Sequence, residues 1–325
     1  MARKVILDVD TGTDDAVAII FAALHPDLDL IGVTTVNGNV PVHNCTDNSL
    51  RVLDFIGCSD VPVYEGLSRP IVRLDFPRPK RLTRDSDKDM HGTKLPLPDP
   101  HTSKQTTGAV EYLLETLRAA TTPITLVPVG PLSNIAAALA IDPKLTESVD
   151  EVVIMGGGHE IGNETAAAEF NFWADPEAAD MVLAAGFRKI TLVPLDATHK
   201  ALVSASDCAA FAALGTPAGT AAERLIGRRV SAYGSGHGVA AAEAAPVHDA
   251  LCTAYLVDPA VITTRPLHVR VEVEGSRSVG RSVMDTRTHD SEPPNCDVAL
   301  DADAALFVRL LTETFTHRAA TSSEV

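Results

Sequence analysis

The sequence predicts a single α/β domain, a mostly parallel, Rossmann-like open sheet covered by helices, and three observations carry that prediction. Short apolar runs of strand length alternate with amphipathic or alanine-rich stretches of helix length. Several of those runs end in a polar or glycine-containing turn that leads straight into the next helical pattern, the layout of crossovers between parallel strands. No linker or internal repeat divides the 325 residues, a length at which a chain buries roughly three quarters of its unfolded surface without help from disulfides.

In chain order, the first strand is VILDVD at 5–10, and the pattern over 14–24 is its following helix. A second strand over 28–36 precedes a helix over 44–56. Residues 69–104, rich in Pro, Arg, Lys and Asp and without periodicity, read as one long loop of the kind that borders active sites. Helix 107–120, strand 123–130, helix 132–140, strand 151–157, helix 176–185, strand 189–196 and helix 205–214 continue the alternation. The stretch 227–248 carries Gly234, Gly236 and Gly238 near Tyr233 and His237, a composition suited to a hinge or lid. From His268 the chain alternates with period two, and 280–287 is its expected hairpin partner, giving a small antiparallel strand pair before the last helix at 303–315. Residues 318–325 read as a tail.

Charge narrows the function classes. Lys and Arg number 27 against 43 Asp and Glu, a net charge of −16, so no broad basic field exists to neutralise nucleic-acid phosphates or an anionic membrane surface. The early apolar run from Ala16 to Leu24 is too short to span a bilayer, and no export signal is visible. Five cysteines, at 45, 58, 208, 252 and 296, are odd in number and form no CxxC pair, so reduced thiols and a cytoplasmic protein are expected.

The first strand ends in the most informative segment, LDVDTGTDDAVAI. Asp8 and Asp10 share a face by strand alternation, Gly12 permits the turn, and Thr13 is placed to cap a helix that starts at Asp14. With Asp15, four carboxylates crowd one turn, and a cation is the natural neutraliser.

This segment resembles the hallmark of the inosine–uridine-preferring nucleoside hydrolase family, an Asp-x-Asp-x-Gly-x-Asp-Asp turn matched by Asp8, Asp10, Gly12, Asp14 and Asp15. Further family-like segments follow in the family's order: VNGN at 36–39, ITLVPVGPLSNIA at 124–136, MGGG at 155–158, GNETAAAEFNFWADPEAA at 162–179, VPLDATH at 193–199 and PVHDA at 246–250. The resemblance implies hydrolysis of the N-glycosidic bond of ribonucleosides to ribose and a free base, by a homodimer or homotetramer. It implies a calcium ion held by Asp10, Asp15, Asp249 and the carbonyl of Val129, with Asp10 taking the proton of a calcium-bound water. By the same resemblance Asp14, Asn39, Met155, Asn163, Glu169 and Asn171 contact the ribose, and His91 and His248 serve the departing base.

The residue chemistry agrees. All four calcium donors are hard oxygens. Glu169 and Asn171 stand two apart, so an extended segment aims both at one face with Phe170 and Phe172 packed behind. Histidine suits proton delivery near neutral pH. Asn44 and Asn48 receive a solvated or capping role, and His199 a structural one. Two departures concern the base pocket: Lys94-Leu95-Pro96 follows the His91 motif where the family has a glycine-containing turn, and Ala250 stands where many members have proline. The single tryptophan, Trp173, excludes the tryptophan pair with which the family's purine-specific branch sandwiches its base. Two other readings compete. A haloacid-dehalogenase-type phosphohydrolase wants Thr or Val where Gly12 stands, and a non-catalytic nucleoside- or calcium-binding protein has no need of a water-activating Asp10.

Overall fold

The computed structural model of the chain describes residues 2–77, 90–234, 243–290 and 292–318. In chain order the strands and helices are β1 (Arg3–Val9), α1 (Thr13–Leu24), β2 (Leu28–Thr35), α2 (Val42–Ile56), β3 (Val63–Glu65), α3 (Ala109–Arg118), β4 (Ile124–Pro128), α4 (Ser133–Ile141), β5 (Val149–Met155), α5 (Phe170–Ala174) and α6 (Pro176–Leu183). There follow β6 (Ile190–Val193), α7 (Leu195–Thr198), β7 (Leu202–Ser204), α8 (Ala205–Ala213), α9 (Pro217–Gly234), β8 (Ala244–Pro246), α10 (His248–Val257), β9 (Ile262–Val271), β10 (Ser282–Asp285), β11 (Cys296–Ala302) and α11 (Ala304–Thr316).

The main sheet has nine strands in the order β10-β9-β11-β6-β5-β4-β1-β2-β3. Seven neighbours from β11 to β3 pair in parallel, and β9 pairs antiparallel with both β11 and β10. The antiparallel pair near the C-terminus is therefore present, and β11 joins it to the parallel sheet as one edge. A parallel strand covered on both faces reads as a continuous apolar run, and Val5, Ile6, Leu7 and Val9 of β1 are all buried. Strand alternation splits these residues between two cores. Val5, Leu7 and Val9 pack with α1, α2, α9, α10 and α11, whereas Ile6 packs with α3, α4 and α6 on the other face.

Every strand expected in the first 196 residues is present, with bounds trimmed by a few residues. Not anticipated were the three-residue strands β3, β7 and β8, the short helices α5 and α7, the helices α9 and α10, and β11. The irregular reading of 227–248 is corrected over its first part, where α9 runs through Gly234; its internal Gly219 and Gly227 weaken the helical pattern that packing restores. His237, Gly236 and Gly238 lie outside the described residues, as do the tail beyond 318 and the middle of the long loop. No helix among the described residues is long and apolar enough to cross a membrane. All five cysteines are free and buried.

Candidate active site

Strand order reverses between β1 and β4: the chain leaves β1 toward β2 and β3, then returns to lay β4, β5 and β6 on the other side. Open α/β sheets bind ligands at the carboxyl ends of strands where this reversal opens a crevice. Asp10 follows β1 there, and Val129 follows β4, tied in by its N–H donating to the Asp8 carbonyl at 2.8 Å.

The turn into α1 differs from the expected cap. The helix begins at Thr13 with Gly12 as its N-cap, so Thr13 does not cap it. Asp15 does the capping from the third helical position, accepting from the N–H groups of Gly12 at 2.9 Å and Asp10 at 3.0 Å. The side-chain amide of Asn39 donates to the same Asp15 carboxylate at 3.3 Å, and the Asn39 N–H donates to Asp10 Oδ2 at 2.6 Å. VNGN thus closes on the acidic turn. The approach is tight enough that a Cβ on Gly38 would meet Asp10 Oδ2 at 2.0 Å, and one on Gly12 would meet His91 Nδ1 at 2.0 Å.

Carboxylate oxygens of Asp14, Asp15 and Asp249 lie within 4.8 Å of one another, all three residues buried. Asp14 and Asp15 occupy the first turn of α1 and Asp249 the first turn of α10, so two helix N-termini converge on the cluster. Burial and the neighbouring acids push the Asp15 and Asp249 carboxyls well above the usual range. Arg229 of α9 supplies a counter-charge, with Nη1 2.9 Å from Asp14 Oδ1; that oxygen takes no well-angled hydrogen bond, so the contact is an ion pair. The Asp249 carboxylate accepts no hydrogen bond within the described residues, although it is only 4% exposed. A buried, donor-starved acid beside two others fits a hard cation, and the donors present are oxygens throughout. Beneath the turn, burial raises Asp8 to about 7 while Asn134 and Thr34 donate to its Oδ1 at 2.8 and 2.6 Å.

The residues expected on the ribose side arrive by a different route from the one expected. Residues 170–174 form α5 rather than an extended segment, and Glu169 is its N-cap. Both carboxylate oxygens of Glu169 are engaged, accepting from Asn171 N at 2.9 Å, Phe172 N at 3.2 Å and Gly157 N at 2.9 Å, while burial raises the group to about 7. Asn171 Nδ2 donates to the Val129 carbonyl at 2.7 Å and the Met155 carbonyl at 3.1 Å. The Val129 oxygen is thus outside the strand ladder, as expected, yet uses one of its two lone pairs on Asn171. Asn163 Oδ1 accepts from Phe170 N at 2.9 Å. Phe172 packs behind the site, whereas Phe170 lines the cleft, a correction to the paired reading of the two rings.

Against the acidic turn, His91 Nδ1 accepts from Thr13 N at 3.3 Å and lies 3.8 Å from Asp14 Oδ1. His248 is 7% exposed, with Nδ1 2.7 Å from Thr198 Oγ1, Nε2 3.4 Å from the Tyr233 hydroxyl and its ring 5.5 Å from that of His199. Burial first, then Arg229 and the two other histidines, drive His248 well below the usual histidine value. It is therefore neutral at neutral pH.

One cleft gathers Asp10, Asp14, Asn39, His91, Val129, Met155, Asn163, Glu169, Asn171, His248 and Asp249, and Asp15 underlies it through its bonds to the turn. Sequence reasoning missed Arg229, Met90, Glu164 and Phe170 as lining residues, and named Tyr233 only for its glycine-rich surroundings. The solvated reading of Asn48 is also corrected: it is fully buried, donating to the Thr11 carbonyl at 3.0 Å and accepting from Leu95 N at 3.0 Å, and so fastens the chain beyond His91 to the acidic turn.

Comparison with known proteins accords with this geometry. Residues 5–309 match the profile of the family described as inosine-uridine preferring nucleoside hydrolase. The pyrimidine-specific ribonucleoside hydrolase RihB of Escherichia coli (strain SE11) is 37% identical over 312 residues, covering 96% of each chain. Among solved structures, a purine-preferring ribonucleoside hydrolase from Gardnerella vaginalis superposes with a TM-score of 0.86 at 30% identity, over 97% of this chain and 98% of its own. A plant nucleoside hydrolase gives 0.84 at 30% identity, over 97% and 99%. Similarity that runs from the first strand into the last helix, over relatives matched nearly end to end, means that the chain belongs to the inosine-uridine preferring nucleoside hydrolase family.

Proposed function

We propose that this nucleoside hydrolase splits the N-glycosidic bond of ribonucleosides with Asp10 as general base and calcium as its metal. The observation that carries the reading is the buried Asp249 carboxylate, without a protein donor among the described residues, beside Asp14 and Asp15 at the strand-order reversal. Asp10, Asp15, Asp249 and the free lone pair of the Val129 carbonyl would hold the ion. When bound, calcium supplies the positive charge that acidifies water and attracts the vicinal hydroxyls of a sugar.

The chain's own residues do the rest. Asn39 fixes the Asp10 carboxylate through its N–H, so that Asp10 accepts the proton of the attacking water in one orientation. Asp14, Asn39, Met155, Asn163, Glu169 and Asn171 surround the ribose. The backbone bonds of Glu169 and Asn171 immobilise them before substrate arrives, and the acids oppose the positive charge that grows on the sugar ring as the bond stretches. His248, neutral in its buried setting, acts by hydrogen bonding to the departing base, with His91 lining the same cleft. A cytoplasmic homodimer or homotetramer belongs to the same reading, and sedimentation tests the assembly.

The deciding experiment measures ribose released from uridine and from inosine, with calcium and after exhaustive chelation. Calcium-dependent release is the expected outcome. Saturable nucleoside binding without release would replace the hydrolase reading by that of a binding protein.

A further inference from the structure

Arg229 is among the largest fully buried side chains, 1% exposed, and it lines the cleft. Two of its three guanidinium nitrogens are spent on the protein. Nε donates to the Pro246 carbonyl at 2.9 Å, two residues before His248, and Nη1 donates to Thr13 Oγ1 at 3.2 Å while pairing with Asp14. Nη2 has no partner among the described residues. The group also sits 6.0 Å from the centroid of the Tyr233 ring, whose hydroxyl reaches His248. It therefore bridges the wall from the acid on the ribose side to the Tyr233–His248 pair on the base side. Asp14 pairs with it directly and Asp249 lies within its field, and the fork is anchored at three points, which fixes the direction of the remaining nitrogen.

We propose that Arg229 is a specificity-determining residue whose Nη2 hydrogen-bonds the carbonyl oxygen adjacent to the glycosidic nitrogen of the leaving base, selecting 2-oxopyrimidine ribosides such as uridine and cytidine. The inference rests on the assignment of Asp14 to the ribose, because a donor anchored there reaches the part of the base nearest the sugar. In the reaction the C1′–N1 bond breaks and its electron pair passes to the base, where it is shared with that carbonyl oxygen. Water adds to C1′ and its proton goes to Asp10, and the base anion takes a proton from solvent. The fixed cation meets charge where it develops, and loss of one such donor typically costs about 10²–10³ in rate. A purine presents a ring nitrogen at the corresponding position, a weaker match to a guanidinium than a carbonyl oxygen that gains negative charge.

The test compares kcat/KM of the calcium-loaded wild type and Arg229→Gln on uridine, inosine and 4-nitrophenyl β-ribofuranoside, whose leaving group has no such carbonyl and departs as a stable anion. The wild type is expected to favour uridine over inosine. The variant should lose about 100-fold on uridine but less than about tenfold on the nitrophenyl riboside, and its uridine-to-inosine ratio should fall toward one. Equal losses on all three substrates would show that Arg229 acts only through Asp14, and an unchanged uridine-to-inosine ratio would likewise overturn the proposal. If Arg229→Gln does not fold, Arg229→Lys is measured on the same substrates. Its single ammonium cannot hold Asp14 and reach the base together, so the same selective loss is expected and a parallel loss refutes. A wild type inactive on all three substrates would instead overturn the hydrolase reading itself.

Discussion

Removing the metal should make the stability of this protein depend on pH in a way that the loaded form does not. Asp14, Asp15 and Asp249 present oxygens no more than 4.8 Å apart, and at an effective dielectric of about 20 each ionised pair repels by at least about 3.5 kcal/mol. Three such pairs amount to roughly 10 kcal/mol, comparable to the whole stability of a typical domain. Arg229 and the two helix N-termini offset part of this. Burial first, and then this repulsion, make the cluster keep protons without the ion, so Asp15 and Asp249 stand well above the ordinary 3.8. A carboxyl raised in the folded state contributes stability that is present below its unfolded pKa and lost as pH rises through the folded value. Chelated protein should therefore lose more stability than calcium-loaded protein as pH rises from about 5 to about 7, the loaded form keeping only the slope that Asp8 and Glu169, raised to about 7, impose on both. With calcium at about 100 times its dissociation constant, binding adds about 2.7 kcal/mol, or several degrees in Tm. Thermal unfolding with calcium and with chelator at both pH values measures the gap. Asp249→Asn should shrink it, by removing one ligand and one buried charge together. A gap that is absent, or equal at the two pH values, would refute a metal site built on Asp15 and Asp249.

Three further outcomes follow from the same geometry. His248→Ala should slow uridine hydrolysis about 10- to 100-fold in kcat, the scale of a lost hydrogen bond to a charged group, while KM changes little; an unchanged kcat would remove His248 from leaving-group stabilisation. 2′-Deoxyuridine should be disfavoured against uridine by up to about 10⁴ in kcat/KM, because the buried polar lining at Asp14 and Asn171 loses its substrate partner, and near-equal efficiencies would contradict the ribose assignment. Glu169→Ala should destabilise the fold by about 1–3 kcal/mol by uncapping α5 and stranding the Gly157 N–H, with Glu169→Gln recovering part of the loss; calorimetry showing no change for Ala would exclude the capping role.

The sequence by itself determined the alternation of strands and helices, the acidic turn after β1 and the order of the motifs that fill the cleft. These features are legible because they are local: an apolar run reports a buried strand, and carboxylates within one turn report their own crowding. Spacing alone misread Glu169 and Asn171, because residues two apart share a face in an extended segment but also meet at a helix start, where Glu169 turns back to cap α5. Tertiary structure alone decided the rest. Arg229 is 216 residues from Thr13 in sequence, and nothing near it in the chain signals that its guanidinium will reach the Asp14 carboxylate. Asn48 looks like a surface amide until Thr11 and Leu95 close on it, and His248 looks like an acid until burial beside Thr198 and Arg229 holds it neutral. A buried polar group takes its charge and its role from partners that only the packed chain brings within hydrogen-bonding distance.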